Sequence, residues 1–599
     1  MTRWRTGSSV VALGLIAGGS ALLLAQTPLT RICGEGASAP ACQAVRGDRS
    51  EGWLAQTRSE VMARNGIVST VQPLAAQAGL RILQQGGNAI DAAVATAAML
   101  NVVFPQNVGI GGDLFALIYV AKEKKVYQLN ASGIAPAGLT LERMNSLGYK
   151  VNPANFGPGS GMPPGGILTV TVPGSLWGWQ EVLTRFGTKT FKDVLQPAID
   201  YADQGFPVTE EIASLWRMKN ALPLQACCTM TDPDSIKTFY VNGKAPVAGT
   251  IFKNPDLAKA FRLIQQQGRD AFYRGEIAQT IHDAMAAHGG LITREDLAAY
   301  SVRVGAPLTG SYRGVELAFS PGATGGVTAL EILNILEQFP KTAVGWNTPA
   351  GLNLRARAVR RAFADRFEHL GDPTVVNAPW DRLTSKAYAR EAAAEIRRTG
   401  KRRAEDPIDA LAAGGDCTTH ISVVDRQRNM VALTHTAVSL FGSMVVVPGT
   451  GILLNNGMIW FNPEAGRPNS VAPGKRALVN MVPVLGFKKG KPYFTVGAPG
   501  GRRIVSAIPQ VIATMIDSGC DLQAAIEAPR LHAESSETLV DGRVGDKVLT
   551  ALARLGHRVG PREETYATLN FAKPVGVRVG RRGLEAGLDA LRPAAAAGH

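Results

Sequence analysis

Six cysteines in 599 residues form no C-x-x-C pair, and the eight histidines are scattered. Zinc-type ligand spacing is therefore missing, and neither a metal nor another cofactor is indicated. Acidic residues are scarce relative to basic ones, 48 against 63, giving a formal charge of +15. A nucleic-acid binder would cluster such an excess with aromatics. Here it is dispersed, with small clusters at Arg355 to Arg366 and Arg397 to Arg403, and reads as a solvated basic surface. Anionic substrates or an anionic membrane surface remain compatible with it, whereas nucleic acid is not an expected partner. No internal repeat is found. What is present, 45% hydrophobic and 19% charged residues, suffices to bury a large core.

The N-terminus carries a targeting pattern. Arg3 and Arg5 precede the uncharged apolar run Val10 to Ala25, which is short of the about 20 residues a spanning helix needs. Residues 1–25 read as an export signal or an uncleaved anchor, because Leu23 fits poorly three positions before a cut at Ala25. Membrane contact is expected only if this segment is retained. Cys33 follows Arg31-Ile32, without the small residue of a lipoprotein site. Residues 26–60 read as a flexible exported leader, in which Cys33 and Cys42 could pair in an oxidising compartment. The protein is expected to be periplasmic or extracellular.

From Ala75 the pattern is helical as far as the stop Gly86-Gly87. Asn88 to Asp91 can cap a second, alanine-rich helix over Ala92 to Val103. Gly109-Ile-Gly-Gly-Asp113 turns into a strand, Leu114 to Val120. Phosphate loops follow a strand and open a helix, so this reversed order excludes a nucleotide site. A strand pair comes next, and residues 210–310 read as mostly helical, including Ile277 to His288. Helices are expected over Val327 to Glu337 and Gly351 to Glu368, then a polar linker from Arg397 to Gly415.

The stretch Gly414-Gly-Asp-Cys-Thr-Thr-His-Ile-Ser-Val-Val-Asp425 organises the rest. A loop of small residues runs into a strand with Ile421 and Val423 on one face and His420 and Ser422 on the other. A second strand, Met430 to Thr436, follows a short polar connection. Further strands are expected at 493–497, and helices at Ile504 to Ile516 and Leu522 to Ala528. A hydroxyl at a loop-to-strand junction, with a partner hydroxyl on the next strand, fits a hydrolase that cuts itself before its nucleophile. An internal Thr hydroxyl needs an adjacent base. The α-amine freed by cleavage, with a reference pKa of about 7.7–8.0, suits that task. Thr418 is the candidate and Cys417 its chemical rival.

Thr418 to Asp425, Gly451-Ile-Leu-Leu-Asn-Asn456, Pro473-Gly-Lys-Arg476 and Gly497-Ala-Pro-Gly-Gly501 together resemble the small subunit of the γ-glutamyltransferase family. Gly86 to Leu117, Val172 to Trp179 and Arg361 to Asp365 are similar to its large subunit. The resemblance implies an α+β fold, a four-layer α-β-β-α sandwich of N-terminal nucleophile hydrolases. It implies autocleavage between Cys417 and Thr418, giving a large chain, 61–417, and a small catalytic chain, 418–599, that stay together as a heterodimer. It also implies Thr418 as nucleophile, Thr436 as its hydroxyl partner, and Gly500 and Gly501 as oxyanion donors.

The specificity positions depart from the family. Ser132 stands where an arginine clamps the substrate carboxylate, and a guanidinium fork is not replaced by one hydroxyl. Val438 takes the place of an asparagine, Gly457 of a glutamine, Trp460 of an aspartate, and Val479-Asn480 of a serine pair. Asn462 to Ala472 is shorter than in relatives with a lid, so water should compete well as acceptor. The expected activity is a self-processing threonine amidohydrolase or acyltransferase acting on small-molecule amides, γ-glutamyl ones such as glutathione first. Two alternatives stay open: an amidase of non-glutamyl specificity, similar to oxamate amidohydrolases or cephalosporin acylases, and an exported binding protein that no longer processes.

Overall fold

The computed structural model describes residues 58–149, 161–163, 165–218, 230–399, 416–564 and 568–599. The expected export segment, nearly all of the leader, Cys33, Cys42, Cys227, Cys228 and most of the 397–415 linker lie outside these residues. Among the described residues no helix is long and apolar enough to cross a membrane.

Two antiparallel seven-stranded sheets form the centre. In the first, the order is Ala595–Gly598, Ile67–Thr70, Asp416–Val424, Met430–Ser439, Asp113–Val120, Lys125–Ala131, Arg303–Gly305. In the second it is Val61–Ala63, Gly583–Leu588, Val575–Gly580, Lys491–Gly497, Val484–Lys488, Val315–Phe319, Leu308–Tyr312. The strand alternation explains how they stack. Leu117, Tyr119, Met430 and Ala432 point inward to meet Leu485, Phe487, Val577 and Ala586 of the other sheet. Leu114, Ala116, Ile118, Ile421 and Val423 point outward, into a core shared with the helices Pro73–Gln84, Ala89–Val103, Ser175–Phe186 and Phe191–Gln204. Val315, Leu317, Phe319, Phe494 and Val496 do the same toward Gly326–Glu337, Pro349–His369 and Arg503–Ser518. The result is the expected α-β-β-α order.

Ala89–Val103 is buried along its whole length, and its alanines allow that approach. Asn88 and Asp91 close its first turn as a capping box. Glu276–His288 ends at Gly289 in the left-handed conformation.

Three expectations need correction. One strand, Lys125–Ala131, follows Val120 instead of a pair, and the short helix Leu141–Ser146 comes next. The mostly helical reading of 210–310 misses the strands at Arg303–Gly305 and Leu308–Tyr312. The basic cluster Arg355 to Arg366 is not a solvated surface, because Arg355, Arg357, Arg360 and Arg366 are buried. Their guanidinium groups are used internally: Arg355 donates to Val344 O and Thr514, Arg360 to Ser535 O and Thr538, and Arg366 to Thr324 O and Val479 O.

A polar seam crosses the inter-sheet core beside the junction strand. Thr495 donates to Val431 O (3.1 Å), so the 3.2 Å contact from Ser422 must be donated by Ser422. That leaves Ser422 to accept from His420 Nε2 (3.2 Å), and His420 Nδ1 to accept from Thr434 (2.9 Å). The imidazole is neutral, its pKa pushed down to about 3 by burial. Gly497 makes room for this ring, since a Cβ there would lie 2.2 Å from His420 Cε1. Gly497→Ala should therefore cost about 1–3 kcal/mol by overpacking, read as a lower urea midpoint. An unchanged midpoint would show that the seam can yield.

Candidate active site

Thr418 lies where the junction strand slips its register. Cys417 pairs with Val438 but Thr419 pairs with His435, an irregularity that falls on the Cys417–Thr418 peptide. Thr418 Oγ1 is 3.1 Å from Thr436 Oγ1, and both residues are buried. Thr436 Oγ1 donates to the Cys417 carbonyl (2.6 Å) and accepts from Val438 N (2.8 Å). A hydroxyl has one proton, which Thr436 has committed to that carbonyl. The Thr418 proton is therefore the one shared between the two hydroxyls, directed at Thr436. The carbonyl next to Thr418 is polarised, while the Thr418 oxygen keeps its lone pairs. Asn107 Nδ2 donates to Thr418 O (3.1 Å) and fixes the far side of the residue.

Val438 makes this geometry at a conformational cost. Its φ is +83°, the left-handed region, where a β-branched residue is strained. The two nearby histidines take no part. His435 Nε2 donates to Gly109 O (3.0 Å), burial holds its pKa at about 3, and His420 belongs to the seam.

Gly500 and Gly501 link Lys491–Gly497 to Arg503–Ser518. Gly500 has φ +138° and a Cβ there would lie 2.5 Å from Ala572 Cα, so only glycine fits. The Gly500 carbonyl accepts from Arg503 N (3.2 Å), so the N–H of the same peptide, that of Gly501, points the opposite way. Gly500 and Thr418 line one small cavity of about 40 Å³ with Cys417, Asn107 and Pro499. The remaining walls are Val71, Phe104, Leu569 and Phe571, and Glu211, Lys573 and Arg592.

Of the six expected substrate positions, Val438 adjoins the junction, pairing with Cys417 and donating its N–H to Thr436 Oγ1. Val438, Trp460 and Val479 belong to an apolar cluster with Phe115, Met458 and Met481. Gly457 packs so closely that a Cβ would lie 2.5 Å from Thr171 Oγ1, which closes the position to a glutamine side chain. Asn480 Oδ1 accepts from Arg366 (3.0 Å). Ser132 is buried, its carbonyl accepting from Tyr300 OH (2.9 Å), and its hydroxyl has no hydrogen-bond partner. None of the six lines the Thr418 cavity in the uncut chain. Sequence reading did not single out Asn107, Glu211, Lys573 or Arg592. They are distant along the chain and carry no shared motif.

Asp113, opposite Thr436 in the sheet, is fully buried. Burial raises its pKa to about 7, against the opposing pull of the Gly133 N–H and Arg476. The folded protein holds this proton more tightly than the unfolded chain, so the group's favourable contribution is complete below pH 3.8 and fades as the pH rises toward 7. Asp113→Asn keeps an acceptor for Gly133 N–H and should flatten that part of the profile. Urea midpoints at pH 5 and pH 7.5 check it, and an unchanged slope would contradict the assignment.

Residues 75–599 match the family described as gamma-glutamyltranspeptidase. The chain belongs to the γ-glutamyltranspeptidase family. It is 38% identical to an acylase ACY 1 proenzyme of Pseudomonas sp. (strain SE83) over 496 residues, 82% of this chain and 87% of that protein. It is 34% identical to a glutathione hydrolase proenzyme of Escherichia coli (strain K12) over 523 residues, 85% of this chain and 88% of that one. The crystal structure of a cephalosporin acylase from Bacillus halodurans superposes with TM-score 0.82 at 33% identity, covering 93% of this chain and 99% of that one. As a γ-glutamyltranspeptidase-family member, the protein is an enzyme, an N-terminal nucleophile hydrolase of α+β fold.

Proposed function

We propose that the chain cuts itself between Cys417 and Thr418 and then hydrolyses small-molecule amides through an acyl-enzyme on Thr418. The observation that carries this reading is the Thr436 hydroxyl, which bridges the Thr418 hydroxyl and the Cys417 carbonyl. Thr418 Oγ adds to the Cys417 carbonyl carbon, the C–N bond breaks, and the proton that leaves Oγ ends on the new Thr418 amine. Water then hydrolyses the ester, leaving Cys417 as a C-terminal carboxylate. The same Oγ next attacks the amide carbonyl of a substrate, with the Thr418 amine as base. The substrate C–N bond breaks, the amine passes the proton to the leaving nitrogen, and water hydrolyses the acyl ester to free Thr418. Gly500 and Gly501 donate N–H groups to the oxyanion.

The two resulting chains, 61–417 and 418–599, hold together as a heterodimer. The junction strand pairs with Ile67–Thr70 on one side, and Met430–Ser439 pairs with Asp113–Val120 on the other. The segment Asn462 to Ala472 is a compact turn, with Val471 N donating to Asn462 O (3.1 Å). A turn this short supports water over a second amine as acceptor. Export follows from the N-terminal pattern read in the sequence.

The substrate class is a γ-glutamyl-type amide such as glutathione. The second reading, an acylase of non-glutamyl specificity, is favoured by the closed Gly457 position and by Ser132 in place of an arginine. Incubating the purified protein with glutathione and with simple acyl amides separates the two. Glutamate release supports the first reading, turnover confined to other amides supports the second, and turnover of none contradicts both.

A further inference from the structure

The cavity beside Thr418 holds unspent hydrogen-bonding capacity of both kinds. Asn107 Oδ1 and Glu211 Oε2 are buried acceptors without a partner, and Arg592 Nε is a buried donor without one. Arg592 contacts Glu211, and Lys573 contacts Glu564, so each cation is already matched by a carboxylate. An ammonium has three donors and one carboxylate oxygen takes up one, which leaves Lys573 able to donate further. The side chains of Glu211, Lys573 and Arg592 are each more than nine-tenths buried. Orphaned buried polar atoms are costly unless something completes them. Here they share a cavity with the candidate nucleophile and Gly500, and the other walls are apolar.

We propose that this cavity is a subsite for the zwitterionic α-amino acid head of the amide substrate, with its ammonium on Glu211 and Asn107 and its carboxylate on Lys573 and Arg592. The assignment rests on the amidohydrolase reading above. A monoanion would leave the two acceptors unmet, and a simple cation would leave the donors unmet; a group with both signs meets all of them. The apolar walls Phe104 and Phe571 would take the methylene chain. Gly457 is closed and Val438, Trp460 and Val479 are apolar, so these positions offer the head no charged partner. In the uncut chain the space is about 40 Å³, far below the roughly 300–1,000 Å³ of ligand pockets. Cys417 forms part of the wall, and its departure on cleavage opens the site. The subsite is latent in the precursor.

Four p-nitroanilides test this with one acyl chain: L-γ-glutamyl, glutaryl (no ammonium), 4-aminobutyryl (no carboxylate) and butyryl (neither). With the processed enzyme, kcat/KM should be highest for γ-glutamyl and fall by about tenfold or more on loss of either group. Glu211→Gln should erase the preference for the ammonium-bearing pair, and Lys573→Met the preference for the carboxylate-bearing pair. Leu569→Trp narrows the cavity from a partly exposed position without touching a charge, and should raise KM for γ-glutamyl anilide more than for butyryl anilide. Equilibrium dialysis of L-glutamate against the processed protein gives a reading independent of turnover, with binding expected and lost in Glu211→Gln. Equal turnover of all four anilides, or a glutaryl preference indifferent to Glu211→Gln, overturns the subsite while leaving the hydrolase intact. No turnover together with glutamate binding would overturn the hydrolase reading and keep the site.

Discussion

Thr418→Ala remains one uncut chain and shows no measurable amide hydrolysis, whereas Cys417→Ala still separates into two chains. The asymmetry follows from the hydrogen bonds at the junction. The side chain at 418 is the only part of that residue that reaches the Thr436 hydroxyl (3.1 Å), and alanine leaves nothing to attack the Cys417 carbonyl. At 417 the reacting atom is the backbone carbonyl, which alanine retains along with its bond from Thr436 (2.6 Å). Losing the nucleophile of a covalent mechanism removes about 10³-fold of rate or more. Electrophoresis separates the variants within a day of purification. Uncut Cys417→Ala beside a cut Thr418→Ala would move the nucleophile to Cys417.

Gly500→Ala is expected to lower kcat by about 10²- to 10³-fold with little change in KM, the loss typical of one oxyanion donor. At φ +138° alanine is strained, and its Cβ would meet Ala572 Cα at 2.5 Å, a backbone atom that cannot swing away. The loop must shift, and the N–H groups of Gly500 and Gly501 shift with it. The helix Arg503–Ser518 is buried through most of its length and should keep the fold in place. Initial rates over a range of substrate separate the two constants. A raised KM with unchanged kcat would place the glycines in ground-state binding.

The junction was legible because its chemistry is local. His420, Ile421, Ser422 and Val423 alternate polar with apolar, and the structure puts each on the expected face, with both faces buried and the polar one facing the inter-sheet seam. The second sheet was mostly illegible, and its glycines show why. Gly310, Gly486 and Gly587 stand where a side chain would strike Leu330, Phe494 or Leu522, so the period-two pattern is broken at the points of tightest packing. Burial of Arg355, Arg360 and Arg366 escaped notice for a related reason: a guanidinium reads as surface until its carbonyl acceptors are known. At the site, the two threonines could be paired from adjacent strands. The contact of Arg592 with Glu211 joins residues 381 positions apart, a separation across which no local pattern could have shown it.

The most direct test of the account is the intact mass of the purified wild-type protein, with N-terminal sequencing of each chain found. Two chains are expected, the smaller beginning at Thr418 and spanning 418–599. A single uncut chain, or a smaller chain that begins at Cys417, would contradict the central claim.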